Sequence, residues 1–188
     1  MYFAINGNVT YAIFCLMICG VCDMFDGPVA RLKKRTNREE TFGILIDSLA
    51  DIISFGVFPA VVGHAIFSSN PPQYDGRLGT IISIAVLSAY VLTALIRLAY
   101  FNVIEIELHG KNEKRKYYEG LPVTNVALII PVVYAVCIRF SFPLAPVYSA
   151  VLAILSIAFV VRIRIPKLRL RYMIGFCLIG LIIAVFVF

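Results

Sequence analysis

Residues 23–51 have the sequence DMFDGPVARLKKRTNREETFGILIDSLAD, in which four aspartates lie at the edges of two apolar segments. The carboxylates form two pairs, Asp23 with Asp26 and Asp47 with Asp51, spaced three and four residues apart. Either spacing places both members of a pair on one face of a helix. Two consecutive membrane helices joined by a short loop run antiparallel. The stretch therefore predicts that the four carboxylates converge at one end of a helical pair.

The composition around this stretch is typical of an integral membrane protein. Of the 188 residues, 61% are hydrophobic and 15% are charged, and a soluble domain of this size could not bury so much apolar surface. Six apolar stretches approach or exceed the roughly 20 residues that span a bilayer as a helix. They cover residues 2–25, 43–67, 79–104, 121–139, 143–162 and 171–188. We therefore expect an all-α polytopic transmembrane bundle of about six spans, one domain over residues 1–188, with its functional core at residues 21–60.

The basic residues predict the orientation in the membrane. The five successive loops carry five, one, four, one and five Lys or Arg residues. Loops rich in Lys and Arg stay in the cytoplasm, so we expect a multi-pass protein of the cell membrane with its aspartates on the cytoplasmic side. The net charge of +6 is then explained by loops that contact anionic headgroups. No nucleic-acid partner is expected.

The chemistry of the aspartates points to a metal site. An aspartate at the centre of a bilayer costs about 2.5–3.5 kcal/mol, so acids inside a span need compensation. Pairing with Lys or Arg explains a single aspartate more easily than four at these spacings. Four hard oxygen ligands favour Mg²⁺ or Mn²⁺ over a softer metal, and two such ions can clamp a phosphate during displacement. Gly27 lets a ligand approach the backbone closely, and Arg31 offers a guanidinium that binds phosphate in a bidentate manner.

The order of these residues is a motif. The pattern D-x-x-D-G-x-x-A-R, then eleven residues and G-x-x-x-D-x-x-x-D, covers residues 23–51. It resembles the signature of the CDP-alcohol phosphotransferases, membrane enzymes that displace CMP from a CDP-linked lipid or alcohol. The resemblance implies that the four aspartates hold two divalent cations, Mg²⁺ or Mn²⁺, against the pyrophosphate, and that Asp51 is the general base. It also implies that Gly27, Ala30 and Arg31 line the nucleotide and pyrophosphate.

Other stretches indicate a branch of this family. Residues 45–60, 97–102 and 118–122 are similar to segments of the membrane-embedded phosphatidylserine synthases, although that branch usually has Arg in place of Tyr100. This resemblance implies CDP-diacylglycerol and L-serine as substrates and a homodimer in the lipid bilayer.

Three polar residues inside spans are candidate substrate-binding groups, namely Arg97, Asn102 and Ser54. Each has an alternative role. Arg97 could extend its head group to the membrane interface, and Asn102 and Ser54 could form hydrogen bonds between helices.

The N-terminal segment departs from the family pattern. A helix normally precedes the first two aspartates, whereas residues 1–7 resemble only its end and the turn after it, so we expect the first helix of the family to be missing. Three alternatives therefore stay open. They are the same reaction with glycerol 3-phosphate or an inositol phosphate as acceptor, a divalent-cation transporter, and an inactive lipid-binding membrane protein. A transporter predicts acids near span centres and broken helices.

Overall fold

The computed structural model describes residues 1–30, 36–69, 76–110, 117–161 and 164–166, which form a helical bundle. Its helices in chain order are α1 (Tyr2–Ile5), α2 (Val9–Ala30), α3 (Asn37–Asp51), a π-helical segment (Ile52–Val57), α4 (Phe58–Ser69), α5 (Gly76–Gly110), a 3₁₀ turn (Val123–Asn125), α6 (Val126–Phe140) and α7 (Leu144–Val160). Within these residues, four stretches are long and apolar enough to cross a bilayer: Val9–Asp26, Arg38–Ser69, Leu78–Ile104 and Val123–Phe140. Leu144–Val160 is a shorter apolar helix. The prediction of a helical membrane bundle is confirmed.

The structure differs from the predicted fold in two places. The first apolar stretch, residues 2–25, is divided by a turn at Gly7, whose positive φ of 78° separates α1 from α2. A short antiparallel ladder, β1 (Tyr117–Glu119) with β2 (Arg164–Pro166), adds two strands to the predicted all-helical fold. The predicted sixth span, residues 171–188, lies outside the described residues.

Helix α3 begins at a capping box. The backbone N–H of Glu39 donates to Thr36 Oγ1 at 3.4 Å, and the backbone N–H of Thr36 donates to Glu39 Oε2 at 2.8 Å. The carboxylates of Glu39 and Glu40 also lie in the first turn, where negative charge stabilises the helix dipole. The motif therefore fixes where the helix that carries Asp47 and Asp51 starts.

The bundle is arranged around α5, which contacts α3, the π-helical segment, α4 and α7, while α2 packs against α6. Small residues allow the contact between α2 and α6 to be close. A Cβ atom built on Gly20 would lie 2.5 Å from the Cβ of Ala127 on α6. Close helix approach at small residues is typical of packing within membranes. Here the close approach lies three residues before Asp23.

The π-helical segment directly follows Asp51 and has a sequence cause. Pro59 has no N–H, so it cannot donate to the carbonyl of Phe55 four residues earlier. Tyr90 of α5 replaces this donor, because its hydroxyl donates to the Phe55 carbonyl oxygen at 2.5 Å. Tyr148 of α7 donates in the same way to the Pro59 carbonyl oxygen at 2.9 Å. Tyr90 thus holds the π-helical segment, and Tyr148 holds the first turn of α4 directly after it.

We predict that Tyr90→Phe lowers the free energy of unfolding by about 1–3 kcal/mol, because it leaves a buried carbonyl without a donor. The measurement is thermal unfolding of the purified protein in detergent. Tyr2→Phe is the matched control, since Tyr2 is 75% exposed and its ring contact with Phe3 needs no hydroxyl. Equal unfolding temperatures for the two variants would contradict the assigned role of Tyr90.

Candidate active site

The side chains of the four aspartates meet between α2 and α3. The side chain of Asp23 lies within hydrogen-bonding reach of that of Asp51, and the side chain of Asp26 within reach of that of Asp47. The later aspartate of α2 therefore faces the earlier aspartate of α3. This is the pairing that two antiparallel helices produce. The structure brings together all four residues that the sequence singled out.

A third pair of side chains meets one helical turn further from the loop that joins α2 and α3. The side chains of Cys19 on α2 and Ser54 in the π-helical segment are hydrogen-bonded to each other. We call the three successive pairs, Cys19–Ser54, Asp23–Asp51 and Asp26–Asp47, the aspartate seam. Ser54, a candidate substrate-binding residue, thus forms one of the interhelical contacts that were its alternative role.

The geometry of the aspartate seam suits a hard cation. One carboxylate oxygen from each of Asp23, Asp26 and Asp47 lies within 4.8 Å of the other two, and Asp51 is joined to Asp23. Carboxylate oxygens are the ligands that Mg²⁺ and Mn²⁺ prefer. Four ionised carboxylates this close repel one another unless a cation neutralises them. The residues present therefore fit a site for a divalent cation.

Asn102 reaches the flank of the aspartate seam from α5. The hydroxyl of Ser48 donates to Asn102 Oδ1 at 2.5 Å. Ser48 stands between Asp47 and Asp51 in sequence, so this contact joins α5 to the helix turn that carries both aspartates. Asn102 therefore makes one of the interhelical hydrogen bonds considered for it, and it makes this bond beside the carboxylates.

Arg97 is buried inside the protein. Its side chain is only 7% exposed, and its Nε donates to the Leu121 carbonyl oxygen at 3.3 Å. Its guanidinium also packs against Gly120, where an added Cβ would lie 3.3 Å from both Cζ and Nη2. The backbone of residues 120 and 121 therefore encloses the head group of Arg97. Both roles considered for Arg97, in substrate binding and at the membrane interface, stay predictions.

The residues expected to line the nucleotide are placed only in part. Gly27 and Ala30 lie in the last turns of α2, directly after Asp26. Arg31 lies outside the described residues, as do the basic stretches at 33–35 and 111–116. Gly27 and Ala30 are thus on the helix that supplies one half of the aspartate seam.

Ser48, Cys19 and Leu121 were not identified from the sequence. Ser48 could have been found, because it lies between two motif aspartates and adjacent to their helix face. The Thr36-x-x-Glu39 pattern is likewise a known helix-start motif. The contact of Leu121 with Arg97 joins residues 24 positions apart, and helical periodicity carries no information about it.

The chain is similar to known proteins over most of its length. The family model described as CDP-alcohol phosphatidyltransferase matches residues 1–163. A CDP-diacylglycerol–serine O-phosphatidyltransferase of Saccharomyces cerevisiae is 40% identical over 127 residues, which cover 65% of this chain and 41% of that protein. One of Helicobacter pylori strain 26695 is 28% identical over 173 residues, covering 90% of this chain and 66% of that protein. An archaetidylserine synthase of Methanothermobacter thermautotrophicus is 35% identical over 131 residues, covering 70% of this chain and 49% of that protein.

The fold and the family match together define the class of this protein, a helical membrane protein of the CDP-alcohol phosphatidyltransferase type. The chain belongs to the CDP-alcohol phosphatidyltransferase family. The family resemblance inferred from residues 23–51 is thereby confirmed. Two of the relatives carry the name CDP-diacylglycerol–serine O-phosphatidyltransferase. The chain spans 41% and 66% of the length of two of these relatives.

We predict that Asp26→Asn weakens Mn²⁺ binding by about tenfold or more, since even residues that only orient a metal ligand contribute 10–100-fold. The substitution also relieves repulsion within the seam, so the metal-free variant should unfold at the same or a higher temperature than the unsubstituted chain. Both are measured on purified protein in detergent, by Mn²⁺ titration and by thermal unfolding with and without Mn²⁺.

Glu40→Gln is the matched control for this experiment, because Glu40 lies on α3 about two turns before Asp47. It should keep the Mn²⁺ affinity of the unsubstituted chain. Equal affinity in Asp26→Asn and Glu40→Gln would show that Asp26 does not hold the ion.

A second prediction concerns the backbone beside Arg97. Gly120→Ala should destabilise the protein more than Gly7→Ala does, because the two glycines have similar φ values of 83° and 78° but different surroundings. An added Cβ at Gly120 would lie 3.0 Å from the Val161 carbonyl oxygen, whereas nothing lies within 4 Å at Gly7. Left-handed backbone costs a non-glycine residue about 1–2 kcal/mol at either site, so the difference in unfolding temperature reports the crowding alone. No difference would argue against the Gly120–Arg97 packing.

Proposed function

We propose that this chain transfers the phosphatidyl group of CDP-diacylglycerol to L-serine, forming phosphatidylserine and releasing CMP. The observation that carries the proposal is the aspartate seam, in which two helices contribute two carboxylates each to one site. The names of the relatives from yeast, bacteria and archaea support serine as the acceptor.

Asp23, Asp26, Asp47 and Asp51 would hold two divalent cations, Mg²⁺ or Mn²⁺, in this proposal. Such ions, when bound, neutralise charge on a pyrophosphate and make a nearby hydroxyl easier to deprotonate. Gly27 and Ala30 lie next to the seam on α2, where a nucleotide pyrophosphate can approach the backbone. Arg31 would contribute a guanidinium to the same phosphates.

Asp51 is the proposed general base. It belongs to the Asp23–Asp51 pair, which is farther from the loop between α2 and α3 than the Asp26–Asp47 pair. Ser48, three residues before Asp51 on the same helix, donates a hydrogen bond to Asn102 of α5. Its carboxylate takes the proton from the serine hydroxyl while the serine oxygen forms a bond to the lipid-side phosphorus. The bond between that phosphorus and the CMP oxygen breaks, and CMP leaves with the electron pair. The role of the other aspartates is to hold and orient the pyrophosphate, since positioning and electrostatics dominate phosphoryl transfer.

The alternation of Lys and Arg among the loops supports a site that opens to the cytoplasm and a location in the cell membrane. Substrate lipid would then enter from the bilayer between the helices, and serine and CMP would exchange with the cytoplasm. The homodimer implied by the family resemblance stays a prediction.

The test is CMP release by the purified protein in detergent with Mn²⁺ and CDP-diacylglycerol, comparing L-serine with glycerol 3-phosphate and inositol phosphate. We expect release with L-serine. Asp51→Asn should lower kcat by about 100-fold or more, the usual contribution of a general base. His64→Ala should have no effect, because His64 is exposed on α4 and has no role in the site.

Each other outcome has a defined meaning. Release with a phosphorylated acceptor and not with serine would keep the reaction and overturn the proposed acceptor. No release with any acceptor, from protein that still binds Mn²⁺ and CDP-diacylglycerol, would favour the inactive lipid-binding protein. Asp51→Asn with full activity would remove Asp51 as the base.

A further inference from the structure

The π-helical segment connects the aspartate seam to α4. Asp51 is the residue directly before this segment, and Ser54, which pairs with Cys19 of α2, lies inside it. The backbone of residues 52–57 therefore determines where the end of the seam that is farther from the loop between α2 and α3 lies. A π turn is a rare and irregular conformation, so its location depends on contacts with neighbouring helices.

Helix α5 provides such contacts at two consecutive residues of the segment. The Tyr90 hydroxyl donates to the Phe55 carbonyl oxygen at 2.5 Å. Pro59 has no N–H to offer this oxygen, so Tyr90 is the donor found for it among the described residues. One turn later on α5, Ala94 faces Gly56, where an added Cβ would lie 3.6 Å from the Ala94 Cβ. The segment thus rests on α5 at both Phe55 and Gly56.

The Tyr90 hydroxyl is held in place by the packing of its ring. Tyr90 is fully buried, and its ring lies against that of Phe159 on α7, with centroids 5.8 Å apart. Close packing of this kind leaves a side chain little freedom to move. Removal of the hydroxyl alone would keep the ring in place and leave the Phe55 carbonyl without a donor. Because an unpaired buried carbonyl is costly, the backbone around it would shift toward another donor.

We propose that Tyr90 is a positioning residue for the aspartate seam, which acts through the Phe55 carbonyl on the location of Asp51. Phe55 is four residues after Asp51, so a shift of its backbone moves the carboxylate that pairs with Asp23. Cation binding and catalysis would then weaken together. The role in catalysis rests on the proposed function, whereas the role in cation binding rests on the geometry of the seam alone.

Tyr148 offers a matched comparison within the same protein. It is also buried, and its hydroxyl also donates to a backbone carbonyl oxygen, that of Pro59 at 2.9 Å. Pro59 belongs to α4 and lies eight residues after Asp51, beyond the π-helical segment. A Tyr→Phe substitution at either position removes one hydroxyl from one buried carbonyl. The two variants therefore resemble each other in lost hydrogen bonding and differ in their distance along the helix from the seam.

The experiment compares Tyr90→Phe with Tyr148→Phe in purified protein in detergent. Mn²⁺ affinity is measured by titration without substrate, and kcat is measured by CMP release with L-serine and CDP-diacylglycerol at saturating Mn²⁺. Tyr90→Phe should weaken Mn²⁺ binding by about tenfold, the lower end of the effect of groups that support metal ligands. It should also lower kcat by about tenfold or more, since a displacement of about 1 Å can cost 100-fold.

Tyr148→Phe should keep both the Mn²⁺ affinity and kcat within about twofold of the unsubstituted chain. Thermal unfolding of the metal-free proteins completes the comparison. Both variants should unfold at a similarly lowered temperature, because each leaves one buried carbonyl without its donor. A difference in Mn²⁺ affinity between two equally destabilised variants cannot come from a general loosening of the bundle.

An unchanged Mn²⁺ affinity in Tyr90→Phe would overturn the inference, and so would equal losses of affinity in Tyr90→Phe and Tyr148→Phe. An unchanged kcat in Tyr90→Phe would overturn its role in catalysis. Failure of the proposed function is a separate result, in which the unsubstituted chain itself shows no serine-dependent CMP release. The Mn²⁺ titrations would still decide the role of Tyr90 in that case.

Discussion

Repulsion among four carboxylates is the constraint on which this structure depends. Asp23, Asp26, Asp47 and Asp51 are brought together between α2 and α3, and like charges so close oppose the approach of these two helices. Apolar burial and interhelical contacts elsewhere must supply the opposing free energy. Helix α3, which carries Asp47 and Asp51, is fixed at both ends, by the Thr36 capping box at its start and by the π-helical segment at its end. A site built in this way is arranged for cations before any cation binds.

Three polar side chains of helix α5 support this arrangement through hydrogen bonds. Tyr90 supplies a donor to the Phe55 carbonyl below the seam, Asn102 accepts from Ser48 beside it, and Arg97 donates to the Leu121 carbonyl. Buried polar groups are retained in a membrane protein when they have partners. The three contacts therefore connect α3, the π-helical segment and the start of the α6 region to a single long helix.

The sequence predicted the parts that depend on local periodicity and on a motif. The pairs of aspartates share helix faces because their spacing is three or four, and apolar length alone located the spans over residues 43–67 and 79–104. The sequence did not reveal contacts between residues far apart in the chain. The burial of Arg97 depends on residues 120 and 121, and the pairing of β1 with β2 depends on a register between distant segments. The replacement of the missing Pro59 donor by Tyr90 was also unpredictable, since the proline reveals an unsatisfied carbonyl but not its partner.

The π-helical segment has a consequence for how this protein can change over evolutionary time. A π turn accommodates an additional residue within a helix and rotates the residues after it by about 100° around the axis. The length of residues 52–57 therefore sets the rotation of α4 relative to α3 about the helix axis. At this length one face of α3 points toward α2 while α4 packs on α5 and α7. A deletion of one residue there would turn the aspartates away from their partners while leaving all four in the sequence. Insertions and deletions in this hexapeptide should consequently be as rare among functional descendants as replacements of the aspartates themselves.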